Sequence, residues 1–91
     1  MNQQEWEMQL ETEGFSDVSL VSIRPGDLPA ETHTHDQETV HIIMKGKLMI
    51  TDEAGVTTTY EVGDRVDFPA GTTHTAATGP EGMQMIVGVK R

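Results

Sequence analysis

From Phe15 onward, turn-forming residues punctuate this chain so often that no long helix fits between them. Arg24-Pro25-Gly26-Asp27, Asp52-Glu53-Ala54-Gly55, Gly63-Asp64, Pro69-Ala70-Gly71 and Thr78-Gly79-Pro80-Glu81-Gly82 each read as a turn. The stretches between them alternate in polarity or are rich in threonine and β-branched residues, as strands are. Residues 39–51 read as one longer strand bent at Gly46, because a glycine inside a strand run marks a bulge or corner. About eight short strands at intervals of roughly 8–12 residues predict an all-β sandwich or barrel.

Residues 1–14 read differently. Gln3 to Glu13 are good helix formers, with Trp6 and Leu10 four apart and Gly14 where a C-terminal cap would stand. The competing alternation of Trp6, Met8 and Leu10 with Glu5, Glu7 and Gln9 is a strand pattern. The helix is favoured, covering a barrel end or a subunit contact. The expected organisation is therefore an N-terminal helical segment, 1–14, and a single β domain, 15–91.

At 91 residues the chain has room for one small core. The absence of cysteine excludes disulfides, thiolate ligands and a thiol nucleophile. Fifteen acidic against six basic residues give a formal charge of -9, which argues against nucleic acid and anionic membrane surfaces as partners. No apolar run approaches the roughly 20 residues of a membrane span, and no basic-then-apolar leader pattern opens the sequence, so a cytoplasmic location is expected. Residues 18–23 carry apolar side chains on both strand faces, which predicts a sheet packed on two sides and a homodimer.

The chemistry-bearing residues are four histidines. His33 and His35 stand at i and i+2, so on a strand both rings leave the same face, roughly 6.6 Å apart along it. Two imidazoles so placed can converge on one ion. His74 follows the Pro69–Gly71 turn and opens a new strand that could project toward that pair. Alone, each feature is equally the mark of a histidine in a polar loop.

Together the two stretches resemble the cupin family, whose motifs read Gly-x5-His-x-His-x3–4-Glu-x6-Gly and Gly-x5-Pro-x-Gly-x2-His-x3-Asn. Gly26, His33, His35 and Gly46 carry the first, with Gly26 one position further from His33 than the pattern asks. Gly63, Pro69, Gly71 and His74 carry the second with every interval kept. The resemblance spans about residues 20–91. It implies a jelly-roll barrel with a divalent metal held on His33, His35 and His74. Thr39 fills the family's glutamate position and Thr78 its asparagine position. Glu38, one residue out of phase, would turn to the opposite face. His41 shares Thr39's face, so it is the candidate fourth ligand or a hydrogen-bonding neighbour of the ligands.

Three or four imidazoles suit iron, manganese, nickel, zinc, cobalt or copper, and ligand type alone does not choose among them. With such a centre, the family resemblance implies oxygenase or isomerase/lyase chemistry on a small polar metabolite. The alternatives are a barrel that binds or senses a small ligand without turnover, and a module whose histidines bind nothing. Glu38, Thr39, Thr78, Phe68 and Met85 are the candidate pocket residues around the histidines. Arg65 could anchor an anionic substrate, or simply face solvent.

Overall fold

The computed structural model describes residues 1–25, the backbone of 33–34, and 36–90. One helix, α1 (Gln3–Thr12), precedes six strands: β1 (Ser16–Ile23), β2 (His33–Thr34), β3 (Glu38–Asp52), β4 (Thr57–Tyr60), β5 (Arg65–Phe68) and β6 (Thr73–Lys90). All-β character with a short N-terminal helix is as expected. The strand number differs: among the described residues there are five strands of four or more residues and the two-residue β2, where about eight were anticipated.

The merger of two expected strands into β6 accounts for one of them. Residues 74–77 and 83–90 are one strand, and the turn-like Thr78–Gly82 segment is a bulge within it. Pairing between β3 and β6 runs Gly46↔Met83 and then Leu48↔Thr78, so residues 79–82 stand opposite Lys47 alone. Proline, which cannot donate to a ladder, is tolerated at such a bulge. Gly46 and Gly82 both adopt positive φ, +74° and +76°.

The bulge also switches the face each long strand presents inward. On β3, His41 and Ile43 are buried before the bend, and Leu48 and Ile50 after it. The parity changes from odd to even, as an inserted bulge residue requires. The first half of β3 lies between β5 and the last half of β6, with β1 outermost; the second half lies between β4 and the first half of β6, with β2 beyond. The sheet is not closed among the described strands, but it folds over on itself. Ile43, Val66, Phe68, Met83 and Met85 from one half join Leu48, Ile50 and Ala76 from the other in a single core.

Helix α1 covers the outer face of the first half. Asn2 caps it reciprocally with Glu5, and two hydrogen bonds end it, Gly14 N–H to Glu11 O and Phe15 N–H to Leu10 O, both 3.0 Å. Gly14, at φ +99°, supplies the left-handed residue that this closure needs. Leu10, fully buried, then packs with Phe15 on Val40, Ile42 and Ile86. Val18 of β1 packs in the same cluster, so the chain's own helix covers that part of the outer face, while Leu20 stays 38% exposed. A clamp holds the helix end: Arg65 donates to both oxygens of Glu13, at 2.9 and 2.7 Å, and also to Asp67. These hydrogen bonds hold the Glu13 carboxyl down at about 2. Arg65 is therefore a structural link between β5 and the end of the helix.

Candidate metal centre

The two histidines whose side chains are described both lie inside the fold. His41, on β3, stands opposite Val66 on one side and Val87 on the other, and is 8% exposed. His74, the second residue of β6, is 2% exposed and stands opposite Asp52. The Nδ1 atom of each ring is sealed from solvent. They come from different halves of the folded sheet, and Phe68 of β5 touches both. Its ring stacks on His74 at 4.4 Å between centroids, 21° from parallel, and meets His41 edge-on at 5.2 Å and 71°.

Strand β2 places His33 in register directly across from His74. The side chain of His33, and all of His35, lie outside the described residues. Among the described residues, no three histidine or carboxylate groups converge on one point.

Thr39 is buried on the His41 face, as its two-residue spacing requires, and donates its hydroxyl hydrogen to Gln37 O at 3.0 Å. Thr78 donates likewise to Gly79 O at 3.0 Å. The threonines at the two departed motif positions thus bond to nearby backbone. Glu38 takes the opposite face from Thr39 and meets Lys90 at 3.7 Å. Met85 is core, packed in the same cluster as Phe68.

Access to His74 comes from the side of two hairpin ends. Thr51, Asp52, Glu53, Thr73 and Thr75 line with it a cavity of about 370 Å³. Asp52 stands in register with His74, a neighbour that sequence reasoning assigned only to a turn. Its Oδ1 accepts from the amides of Ala54 and Val56 at 2.9 and 3.0 Å, so it does cap the hairpin. The pairing with His74 follows from register across some twenty residues, for which the sequence carries no local signal.

The comparisons agree with this architecture. No curated protein sequence matches the chain. Among solved structures, a cupin-2 domain protein from Shewanella frigidimarina superposes with a TM-score of 0.68 at 24% identity, over 81% of this chain and 69% of its own. A protein of unknown function from Streptococcus pyogenes gives 0.65 at 27%, over 81% and 63%. A DMSP lyase from Ruegeria pomeroyi gives 0.69 at 23%, but the chain spans only 37% of its length. The cupin-domain family model matches residues 19–89, from the fourth residue of β1 to the last but one of β6. The chain belongs to the cupin family.

Proposed function

We propose that this cupin binds one divalent transition metal through His33, His35 and His74, with His41 as the fourth ligand or its close neighbour. The metal is one of iron, manganese, nickel, zinc, cobalt and copper. The observation that carries the reading is the register of His33 with His74, beside a buried His41 that shares Phe68 with it. Imidazoles are a fitting donor set for such an ion, two of them, His41 and His74, are buried, and no thiolate competes with them.

A bound ion of this kind supplies Lewis acidity, and an open coordination position would admit a small polar metabolite. The protein's part is to exclude water and fix the rings. Phe68 covers one face of His74, and the β3–β6 ladder holds His41 and His74 on rigid strands. Oxygenase and isomerase/lyase chemistry are the reactions proposed, and the Ruegeria neighbour is a lyase. A second reading, a non-catalytic ligand-binding or sensing module, has its own support. The described connections 53–56, 61–64 and 69–72 are four residues each, which leaves little material for a lid. No described helix is long and apolar enough to cross a membrane. A cytoplasmic, homodimeric protein is proposed. With α1 covering the outer face, the dimer would form along β1, the outermost described strand, where Leu20 is 38% exposed.

The test is elemental analysis of protein purified without added metal, with His33, His41 and His74 each replaced by alanine. About one equivalent of metal per chain is expected, lost in the His33 and His74 variants. Metal-free wild-type protein that takes up none on dialysis would refute the reading. Oxygen uptake or product formation across a metabolite panel separates catalysis from binding alone.

A further inference from the structure

Val56-Thr57-Thr58-Thr59-Tyr60 is a run of β-branched and aromatic residues without a charge or a proline. Such a run favours a strand, and β4 forms from it. This strand is the last in the order β1-β6-β3-β4, and no described strand pairs with its far side. Natural sheets commonly guard such an edge with lysine, proline or a bulge. At the other end of the order β1 has a bulge: its register with β6 shifts between Ser16 and Ser19, and Asp17 takes φ +53°. The pairing of β4 with β3 runs unbroken from Tyr60 opposite Leu48 to Thr57 opposite Thr51.

The backbone decides which groups face out. Asp52 N–H donates to Val56 O at 3.0 Å, which starts the ladder with β3 at Val56. Antiparallel bonding alternates, so Thr58 and Tyr60 bond toward β3, and the N–H and C=O of Thr57 and Thr59 point away from it. The next outward N–H, that of Glu61, is taken by Asp64 Oδ2 at 2.7 Å. Thr58 and Tyr60 stand opposite the buried Ile50 and Leu48, which puts them on the core side of the strand. Val56 and Val62 flank them at two residues' distance. These valines are 58% and 63% exposed, two of the five large apolar side chains left open among the described residues. The strand's neighbours are acidic: Glu53 at the hairpin end, Glu61 and Asp64 at the other. Lys47 meets Glu61 at 3.5 Å, but both side chains are more than half exposed, and water screens the pair.

We propose that the open edge of β4 binds an extended basic peptide as an added strand. Main-chain hydrogen bonds to Thr57 and Thr59 supply the affinity, and alternate apolar side chains of the peptide pack beside Val56, Tyr60 and Val62. Lysine or arginine at the peptide's ends meets Glu53 on one side and Glu61 and Asp64 on the other. A second copy of this chain is a poorer occupant, because it brings the same carboxylates and a further formal charge of -9 to the edge. The homodimer proposed along β1 leaves β4 open, since the two strands end the order on opposite sides.

The experiment is a titration of the 15N-labelled full chain with a capped seven-residue peptide, alternating valine and threonine with a lysine at each end. Saturating shifts and slowed hydrogen exchange are expected at the amides of Thr57 and Thr59. The same peptide with glutamate at each end is expected to bind about three- to tenfold more weakly at low salt. Thr59→Pro, which removes an outward N–H at an edge position that accepts proline, is expected to weaken binding at least about fivefold. Val56→Thr/Val62→Thr keeps the β-branched shape and is expected to weaken it about fivefold. Shifts confined to β1 or scattered over the surface, equal binding of the glutamate peptide, or unchanged affinity in either variant would overturn the proposal. Thr57 and Thr59 amides already protected without peptide, and released on dilution, would give the edge to a second copy and overturn it as well.

Discussion

Replacing Gly46 by alanine tests the architecture at its tightest point. Gly46 has φ +74°, a conformation that costs an L-residue about 1–2 kcal/mol. The added methyl would also lie 2.2 Å from Gly82 O and 3.1 Å from the Met83 Cα, both backbone atoms that cannot rotate aside. Strands β3 and β6 must then separate where Gly46 pairs with Met83 and Lys45 with Gln84. Forced separation in a well-packed interior adds about 1–3 kcal/mol, so the total is about 2–5 kcal/mol. Gly55 is the internal control. Its φ is +83°, yet nothing lies within 4 Å of the new methyl, so Gly55→Ala should lose only the backbone part, about 1–2 kcal/mol. Urea melts followed by Trp6 fluorescence and far-UV circular dichroism give both values. With a slope of roughly 1 kcal/mol per molar, the Gly46 midpoint should fall about 1–3 M further than the Gly55 midpoint. Equal losses in the two variants would refute the close passage of β3 over β6.

The Glu13–Arg65 clamp makes a pH prediction. The Glu13 carboxyl is held at about 2 against an ordinary 4.5, so its stabilisation is complete above pH 4.5 and disappears as pH falls toward 2. The pair is part-exposed, and screening reduces the contribution to about 1 kcal/mol. Glu13→Gln should therefore be less stable than wild type at pH 6 by that amount and equal to it near pH 2. An unchanged gap across that range would count against the clamp. Leu10→Ala should cost about 2–5 kcal/mol, because Leu10 is the fully buried residue that fixes α1 to the outer face; a loss under 1 kcal/mol in a urea melt would mean that the helix is not seated there. Phe68→Leu should weaken metal binding several-fold, because the ring stacks on His74 and touches His41; unchanged affinity by isothermal titration would show that it does not set their positions.

Much of the fold was legible because turns and strands leave local marks. Gly14 announced the helix end and Gly46 the bend of β3, each through a backbone conformation that glycine tolerates best. That Thr39 and His41 share a face followed from strand periodicity, and that this face looks inward followed from the family resemblance. Thr78–Gly82 misled, because glycine and proline mark a bulge and a turn with the same residues. Only pairing with a strand more than thirty residues away distinguishes them. The two-faced apolar pattern of the sheet was legible, and α1 packs on part of its outer face. Of the histidine site, the grouping of His41, His74 and Phe68 was expected, and the ring geometry, Phe68 stacked on His74 and edge-on to His41, was not. Folding of the sheet over itself brings those three together.

The most direct measurement of the metal centre is X-ray absorption on protein reconstituted with one equivalent of zinc. Three or four imidazole nitrogens at about 2.0–2.1 Å are expected, with the outer-shell scattering that histidine rings produce. A first shell of water and carboxylate oxygens with one imidazole or none would contradict a centre built on His33, His35 and His74.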